Sequence, residues 1–289
     1  MKLAAYGIAL SALATTPALA QDKTIDLGWT AWSDAEVITR MAAQILEEKM
    51  GYKVNMQLAD IAIQYQGVAN CDLDAMLMAW LPETHKDYVE RFKEDLDDVG
   101  VLYGGARLGW VVPDYIPEDQ LSSIADLNKE GMADKFDERI QGIDPGAGLM
   151  RLSQQAMEDY DLDDYTLVSA SGAGMTAALD RAIRRDEWIV ATGWSPHWMF
   201  GKHDLRYLED PKGTLGGEEQ VHVMACQQLK EEHPEVYGFL SRMKLNIDDL
   251  QATMAAAEET SYEEAVSNYI SEHQDLVNYW VTGEGKPEA

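Results

Sequence analysis

The feature that most constrains the fold is an alternation of strand-like and helix-like segments along the chain. Thr24–Trp29 and Lys53–Leu58 have strand patterns, and Ala35–Lys49 between them repeats apolar residues at helical spacing. Ile61–Ala69 continues as a predicted helix and Ala75–Ala79 as a buried strand. Such a βαβαβ unit requires a parallel sheet, and these sheets bind ligands at the carboxyl ends of their strands.

A second alternating unit occupies the middle of the chain. Its predicted elements are the strands Arg107–Val112, Arg139–Ile143, Tyr165–Ala170 and Trp188–Thr192 and the helices Gly148–Asp159 and Met175–Arg184. The charged segment Lys86–Asp98 that precedes this unit is predicted to be a solvated helix. Gln220–Ala225 is a further predicted strand, and it leads to the helical segments Pro234–Met243 and Ile247–Val281.

These units predict an α/β fold with two lobes, each a mixed and mostly parallel sheet flanked by helices. Lobe I would comprise residues 21–111 and 221–289, and lobe II would comprise residues 112–220, so that the chain crosses a hinge twice. This is the layout of a clamshell. The pattern alone also allows a single larger sheet.

The first twenty residues have the pattern of a secretory signal peptide. Lys2 is followed by the uncharged stretch Leu3–Thr16, and the small residues Ala18 and Ala20 precede the expected cleavage point. Cysteine does not follow this point, and no later stretch is long and apolar enough to span a bilayer. We therefore predict cleavage after Ala20 and export to the periplasm as a soluble protein.

Composition excludes several functional classes. The 289 residues include 51 Asp and Glu against 23 Lys and Arg, a net charge of −28 that is unsuited to nucleic-acid binding. The two cysteines, Cys71 and Cys226, lack metal-ligand spacing. Nucleotide-binding and hydrolase motifs are absent as well. We predict a protein that is not an enzyme and has no metal or cofactor; an exported hydrolase with an Asp/Glu pair is a remote alternative.

Three tryptophans are predicted to follow directly after strands, namely Trp32, Trp80 and Trp194. Each one alone is more simply interpreted as a packing aromatic. At strand exits on one face of the sheet, however, they would converge on a single cleft. Several indole faces around a small space are suited to a quaternary ammonium group, which cannot donate a strong hydrogen bond.

An anion site is predicted beside these tryptophans. In Ile143–Leu149 a strand runs through a glycine turn into a helix, whose first N–H groups lack intrahelical acceptors. The turn is sized for a carboxylate, although a tight turn without a ligand is an equal alternative. His85 follows Trp80 closely and could donate a hydrogen bond to the same carboxylate, whereas His197 is interpreted as structural.

Several longer motifs resemble one known family. They are Ala79–Lys86 (AWLPETHK), Gly142–Gly148 (GIDPGAG), Ser169–Gly172 (SASG), Thr192–Phe200 (TGWSPHWMF) and Leu208–Gly213 (LEDPKG). In this order they look like the glycine betaine-binding proteins of ABC transporters, over nearly the whole chain after the predicted signal peptide. The resemblance implies a two-lobed periplasmic-binding-protein fold that closes over its ligand.

The resemblance also implies a role for each candidate residue. It implies that the trimethylammonium group lies in an aromatic box formed by Trp32, Trp80 and Trp194. It implies that the carboxylate is bound by the main-chain N–H groups of Gly148 and Leu149 and by His85. Trp29 could share or take the role of Trp32, because Trp29 lies three residues earlier and the stretch Ser33–Glu36 after Trp32 is one residue longer than is usual.

We therefore predict a monomeric protein that captures glycine betaine and delivers it to an inner-membrane permease with its ATPase. Proline betaine, carnitine, dimethylsulfoniopropionate and choline are alternative ligands. Choline is disfavoured because it has no carboxylate for the predicted donors. Cys71 departs from the glycine that is common in the family, and in an oxidising compartment it could pair with Cys226.

Overall fold

A computed structural model describes residues 23–285, so the predicted signal peptide lies outside the described residues. The strands are β1 (Thr24–Trp29), β2 (Lys53–Leu58), β3 (Ala75–Leu81), β4 (Leu96–Pro113), β5 (Arg139–Gln141), β6 (Thr166–Val168), β7 (Ala191–Ser195), β8 (Leu205–Tyr207) and β9 (Glu218–Cys226). The helices are α1 (Ser33–Met50), α2 (Ile61–Ala69), α3 (Lys86–Phe92), α4 (Met132–Lys135), α5 (Gly148–Asp159), α6 (Gly172–Ile183), α7 (Met199–Lys202), α8 (Leu229–Glu232), α9 (Pro234–Arg242), α10 (Ile247–Glu259), α11 (Tyr262–Glu272) and α12 (Gln274–Thr282), with a 3₁₀ helix at Ile124–Asn128.

The strands form one mixed sheet in the order β2-β1-β3-β9-β4-β7-β5-β6, with β8 paired to β4. At one end β1 pairs in parallel with β2 and β3, and at the other end β5 pairs in parallel with β6 and β7. The antiparallel strands β4 and β9 lie between these two groups. The predicted α/β class is therefore confirmed, and hydrogen bonding is continuous from one group to the other.

The long strand β4 joins the two groups because it changes partner along its length. It pairs with β9 from Leu96 to Arg107 and with β7 from Arg107 to Val111. This arrangement corrects one prediction, since the segment Lys86–Asp98 is not a single solvated helix. The helix ends at Phe92, residues 93–95 form a turn, and Leu96 to Asp98 enter β4 by backbone pairing with β9.

Two of the three predicted strand exits also require correction. Trp80 and Trp194 lie within β3 and β7 rather than beyond them. The strand predicted at Trp188–Thr192 is shifted toward the C-terminus, because Trp188 packs against Phe136, with ring centroids 5.4 Å apart, instead of entering the sheet. Trp32 does follow a strand, and it directly precedes α1.

The C-terminal helices follow β9, and a disulfide joins β9 to the turn after α2. The predicted helical region Ile247–Val281 is divided into α10, α11 and α12. Cys71, in the turn after α2, is joined to Cys226 at the end of β9, with a Cα–Cα distance of 5.1 Å. This bond links the turn after α2 to β9 across a sequence separation of 155 residues. Among residues 23–285, no helix has the length and apolarity needed to cross a membrane.

Candidate functional site

A small cavity lies between the two groups of strands, with about 290 Å³ of space that no protein atom fills, including space open to solvent. Its lining residues are Trp32, Trp80, Thr84, His85, Leu108, Ile143, Ala147, Gly148, Leu149 and Trp194. All six predicted binding residues are among them, so the structure brings the two predicted halves of the site together. Trp29 is not a lining residue, and its carbonyl oxygen accepts hydrogen bonds from Ala59 N–H and the Gln64 side chain.

Trp80 and His85 form one rigid unit at the end of β3. The backbone N–H of Trp80 donates to His85 Nδ1 at 3.0 Å, and the backbone N–H of His85 donates to the Trp80 carbonyl at 2.9 Å. Because Nδ1 accepts a hydrogen bond, the neutral ring carries its proton on Nε2. His85 is 1% exposed. Its Nε2–H is therefore a fixed donor in a buried position.

Burial also keeps the His85 ring uncharged. Desolvation, assisted by the nearby positive charge of Arg151, lowers the pKa of His85 to about 3. The imidazole is therefore neutral near pH 7 and can donate a hydrogen bond without carrying a cation into the cavity. The Trp32 ring stacks on the imidazole, with centroids 6.0 Å apart and planes inclined by 27°.

The indoles of Trp32 and Trp194 approach the cavity from opposite groups of strands. Each ring is oriented by a hydrogen bond from its Nε1–H to a carboxylate. Trp32 donates to Asp144 Oδ2 at 3.1 Å, and Trp194 donates to Asp34 Oδ1 at 3.0 Å. All three tryptophans are more than nine-tenths buried. The cavity therefore has three desolvated indoles whose orientation is fixed by the surrounding fold.

Sequence reasoning missed the two carboxylates behind the indoles. It assigned no carboxylate to the site, and Asp34 has the sequence position of an ordinary acidic residue in the first turn of α1. In the fold Asp34 is completely buried. Burial raises its pKa, while hydrogen bonds from Tyr103 and Trp194 act in the opposite direction. Neither Asp34 nor Asp144 lines the cavity.

The cavity lining also contains backbone donors. Gly148 and Leu149 are the first two residues of α5, so their N–H groups have no intrahelical acceptor. Both residues are buried against the cavity. The start of this twelve-residue helix is electropositive and suited to an anion. His85 lines the same cavity, so its Nε2–H adds a third donor group to this part of the lining.

The start of α5 packs directly against the segment that carries His85. A Cβ atom on Gly148 would lie 2.1 Å from the Thr84 carbonyl oxygen, so only glycine fits at this contact. Thr84 is held in turn by buried Glu219, which accepts its N–H at 3.1 Å and its hydroxyl at 2.6 Å. Arg151 Nη2 donates to the Glu83 carbonyl at 2.9 Å across the same boundary. The two groups of strands are thus closed around the cavity.

The lining therefore has two parts, which we call the aromatic end (the indoles of Trp32, Trp80 and Trp194) and the donor end (the N–H groups of Gly148 and Leu149 and the imidazole of His85). Aromatic faces attract a cation whose charge is spread over methyl groups, and N–H donors attract a carboxylate. A small zwitterion matches both ends.

Comparisons with known proteins agree with this chemistry. A family model described as the substrate binding domain of the ABC-type glycine betaine transport system matches residues 23–272. The chain is 37% identical over 158 residues to the glycine betaine/carnitine transport binding protein GbuC of Listeria monocytogenes. This match covers 54% of the chain and 53% of that relative, so it spans about half of the relative's length.

Solved structures extend the similarity over most of the chain. Lactococcal OpuAC, in a closed-liganded conformation complexed with glycine betaine, is 38% identical, with a TM-score of 0.84 over 90% of this chain and 100% of that one. The glycine betaine/L-proline-binding protein ProX of Borrelia burgdorferi is 31% identical, with a TM-score of 0.83 over 91% of this chain and 98% of that one. The chain therefore belongs to the family of substrate-binding domains of ABC-type glycine betaine transport systems.

Proposed function

We propose that this protein captures glycine betaine for an ABC importer. Three tryptophans, the neutral His85 and the first two residues of α5 line one small cavity, and this single observation carries the proposal. The tryptophans Trp32, Trp80 and Trp194 hold the trimethylammonium group. The carboxylate accepts hydrogen bonds from the N–H groups of Gly148 and Leu149 and from His85 Nε2–H.

The energetics of such a site are adequate for tight binding. Each cation–π contact in a desolvated box contributes about 1–2 kcal/mol, and hydrogen bonds to a carboxylate add to this. A micromolar ligand requires about −8 kcal/mol. For a ligand of about eight non-hydrogen atoms the most favourable binding free energy is about −12 kcal/mol, so micromolar affinity is physically attainable.

The two groups of strands act as the two lobes of a clamshell in this proposal. Lobe I comprises residues 21–111 and 221–289, and lobe II comprises residues 112–220. The change of partner within β4 at Arg107 supports a hinge crossing close to the first boundary. Trp32, Trp80 and His85 then belong to lobe I, while Gly148, Leu149 and Trp194 belong to lobe II. The complete site exists only when the lobes close.

The cellular context is part of the same proposal. The signal-like pattern of residues 1–20 supports export to the periplasm with cleavage after Ala20, and the ABC-type family supports delivery to a membrane permease with its ATPase. The protein acts as a monomer that binds and releases its ligand unchanged. Among the described residues lining the cavity, only His85 has a side chain that gains or loses a proton in the ordinary pH range, and burial lowers its pKa so that it stays neutral.

Isothermal titration with a panel of related compounds tests the proposal. We expect glycine betaine to bind with micromolar affinity and choline to bind at least about tenfold more weakly, because choline leaves the donor end unmatched. The relative affinities of proline betaine, carnitine and dimethylsulfoniopropionate show how well each cationic group fits the aromatic end. Tighter binding of choline than of glycine betaine would overturn the assignment of the donor end, and NMR detection of betaine turnover would overturn a pure binding role.

A further inference from the structure

Two hydrogen bonds cross the cleft directly behind the cavity tryptophans. Trp32, at the start of α1, donates its indole N–H to Asp144 in the turn after β5. Asp34, also at the start of α1, accepts the indole N–H of Trp194 from β7. The exchange is reciprocal, because each side of the cleft supplies one indole donor and one carboxylate acceptor.

The geometry separates the roles of the rings and the carboxylates. Both indoles line the cavity, whereas neither Asp34 nor Asp144 does. A carboxylate in this position contacts the edge of the ring and leaves the face toward the cavity free. Because the indole N–H lies in the ring plane, one N–H···O bond restrains the orientation of the face that meets a ligand.

Most of the hydrogen bonds that hold the Asp34 side chain come from its own side of the cleft. Tyr103 on β4 donates its hydroxyl to Asp34 Oδ2 at 3.0 Å. The backbone N–H groups of Asp34 and Ala35 also donate to this carboxylate. These donors hold the buried carboxylate in place, and the indole of Trp194 then completes its hydrogen bonding from across the cleft.

We infer that Asp34 and Asp144 are positioning residues that latch the closed site by orienting the indoles of Trp194 and Trp32. This inference rests on the proposed betaine-binding function. An N–H···O bond to a carboxyl oxygen restrains the indole that donates it, because the N–H lies in the ring plane. Each carboxyl group therefore holds an indole in its orientation toward the cavity and contributes a contact that crosses the cleft.

The test is a double-mutant cycle on glycine betaine affinity and dissociation rate. Asp34→Asn and Asp144→Asn are made in the wild-type chain and combined with Trp194→Phe or Trp32→Phe, because phenylalanine keeps an aromatic face but lacks the indole N–H. We expect each Asn variant to weaken affinity about tenfold, mainly through faster dissociation. In the matched background, where phenylalanine replaces the indole that the carboxylate contacts (Trp194 for Asp34, Trp32 for Asp144), the same substitution should weaken affinity by less than a further factor of about two. In the mismatched background, where phenylalanine replaces the other indole, the two losses of affinity should multiply.

Ser153→Ala provides a matched control outside the cavity. Ser153 Oγ accepts the N–H of buried Trp110 at 2.9 Å, so this variant also removes an indole acceptor. It should lower the melting temperature without changing betaine affinity. If Asp34→Asn does not fold, the test uses the Asp144→Asn variant, because Asp144 is less buried, together with NMR measurement of the indole N–H signals of Trp32 and Trp194. We expect these signals to move downfield when glycine betaine is added to the wild type.

The outcomes separate the two proposals. Absence of glycine betaine binding by the wild-type protein contradicts the proposed function itself. Normal wild-type binding with unchanged affinity and dissociation rate in both folded Asn variants contradicts the latch alone. Equal multiplication of effects in matched and mismatched backgrounds also contradicts it, because the carboxylates would then act on something other than their indole partners.

Discussion

The two ends of the cavity are built in different ways. The aromatic end consists of three large side chains from separate parts of the chain: the start of α1, β3 and β7. The donor end consists mostly of backbone, because α5 supplies N–H groups and His85 is oriented by the backbone of Trp80. The aromatic end therefore depends on side-chain identity, whereas the donor end depends on the path of the main chain and on the lack of a side chain at Gly148.

The largest effect is expected from removing a wall of the aromatic end. Trp80→Ala deletes one indole face and leaves a void beside the ammonium group, so glycine betaine affinity should fall at least about 100-fold. Isothermal titration measures this directly. Trp110→Phe is the control, because Trp110 is buried outside the cavity and its substitution should change stability but not affinity. An affinity within a few-fold of the wild type would contradict the aromatic end as proposed.

A smaller but still large effect is expected from adding one carbon atom at the donor end. The Cβ of Gly148→Ala would lie 2.1 Å from the Thr84 carbonyl oxygen, so closure should be hindered and affinity should fall about 30-fold. Gly146→Ala in the same turn is the matched control, because its Cβ would meet nothing within 4 Å. Equal affinities of the two variants would show that backbone approach does not govern this end.

The pH dependence distinguishes a neutral from a charged donor at His85. Because burial lowers its pKa to about 3, the bound carboxylate meets a neutral imidazole, and affinity should be constant from about pH 5 to about pH 8. Stability behaves differently. Between the usual histidine pKa of about 6.5 and the lowered value, the unfolded state takes up a proton that the folded state does not. The contribution of His85 to the free energy of unfolding should therefore decrease as the pH falls through this window.

Titrations at several pH values and chemical denaturation of the His85→Gln variant measure the two quantities separately. Affinity that rises steeply below about pH 6.5 would indicate that the imidazolium, rather than the neutral ring, binds the carboxylate.

The smallest effect is expected from salt. The net charge of −28 belongs mainly to the surface, and the residues that line the cavity include no Asp or Glu within the described part of the chain. Added NaCl screens exposed charges over about 10 Å at 0.1 M. Glycine betaine affinity should therefore change less than about threefold up to about 0.5 M NaCl. A steep loss would show that surface acidity takes part in recognition.

The sequence predicted local elements and candidate residues better than it predicted long-range pairing. The bounds of β1, β2, α2 and α5 agree with the patterns, because each is an uninterrupted run with one periodicity. The segment Lys86–Asp98 was predicted wrongly, since Leu96 to Asp98 become strand only by pairing with β9, which is distant in sequence. The partners of the indole N–H groups could not be predicted for the same reason.

The sequence by itself determined the α/β class, the family and six of the residues that line the cavity, because these depend on local patterns and on motifs of contiguous residues. Only the tertiary structure decided that Gly148 must lack a side chain, that His85 is neutral, and that Asp34 and Asp144 lie behind the indoles. Each of these properties depends on groups from opposite sides of the cleft or on burial. Neither is encoded in the spacing of neighbouring residues.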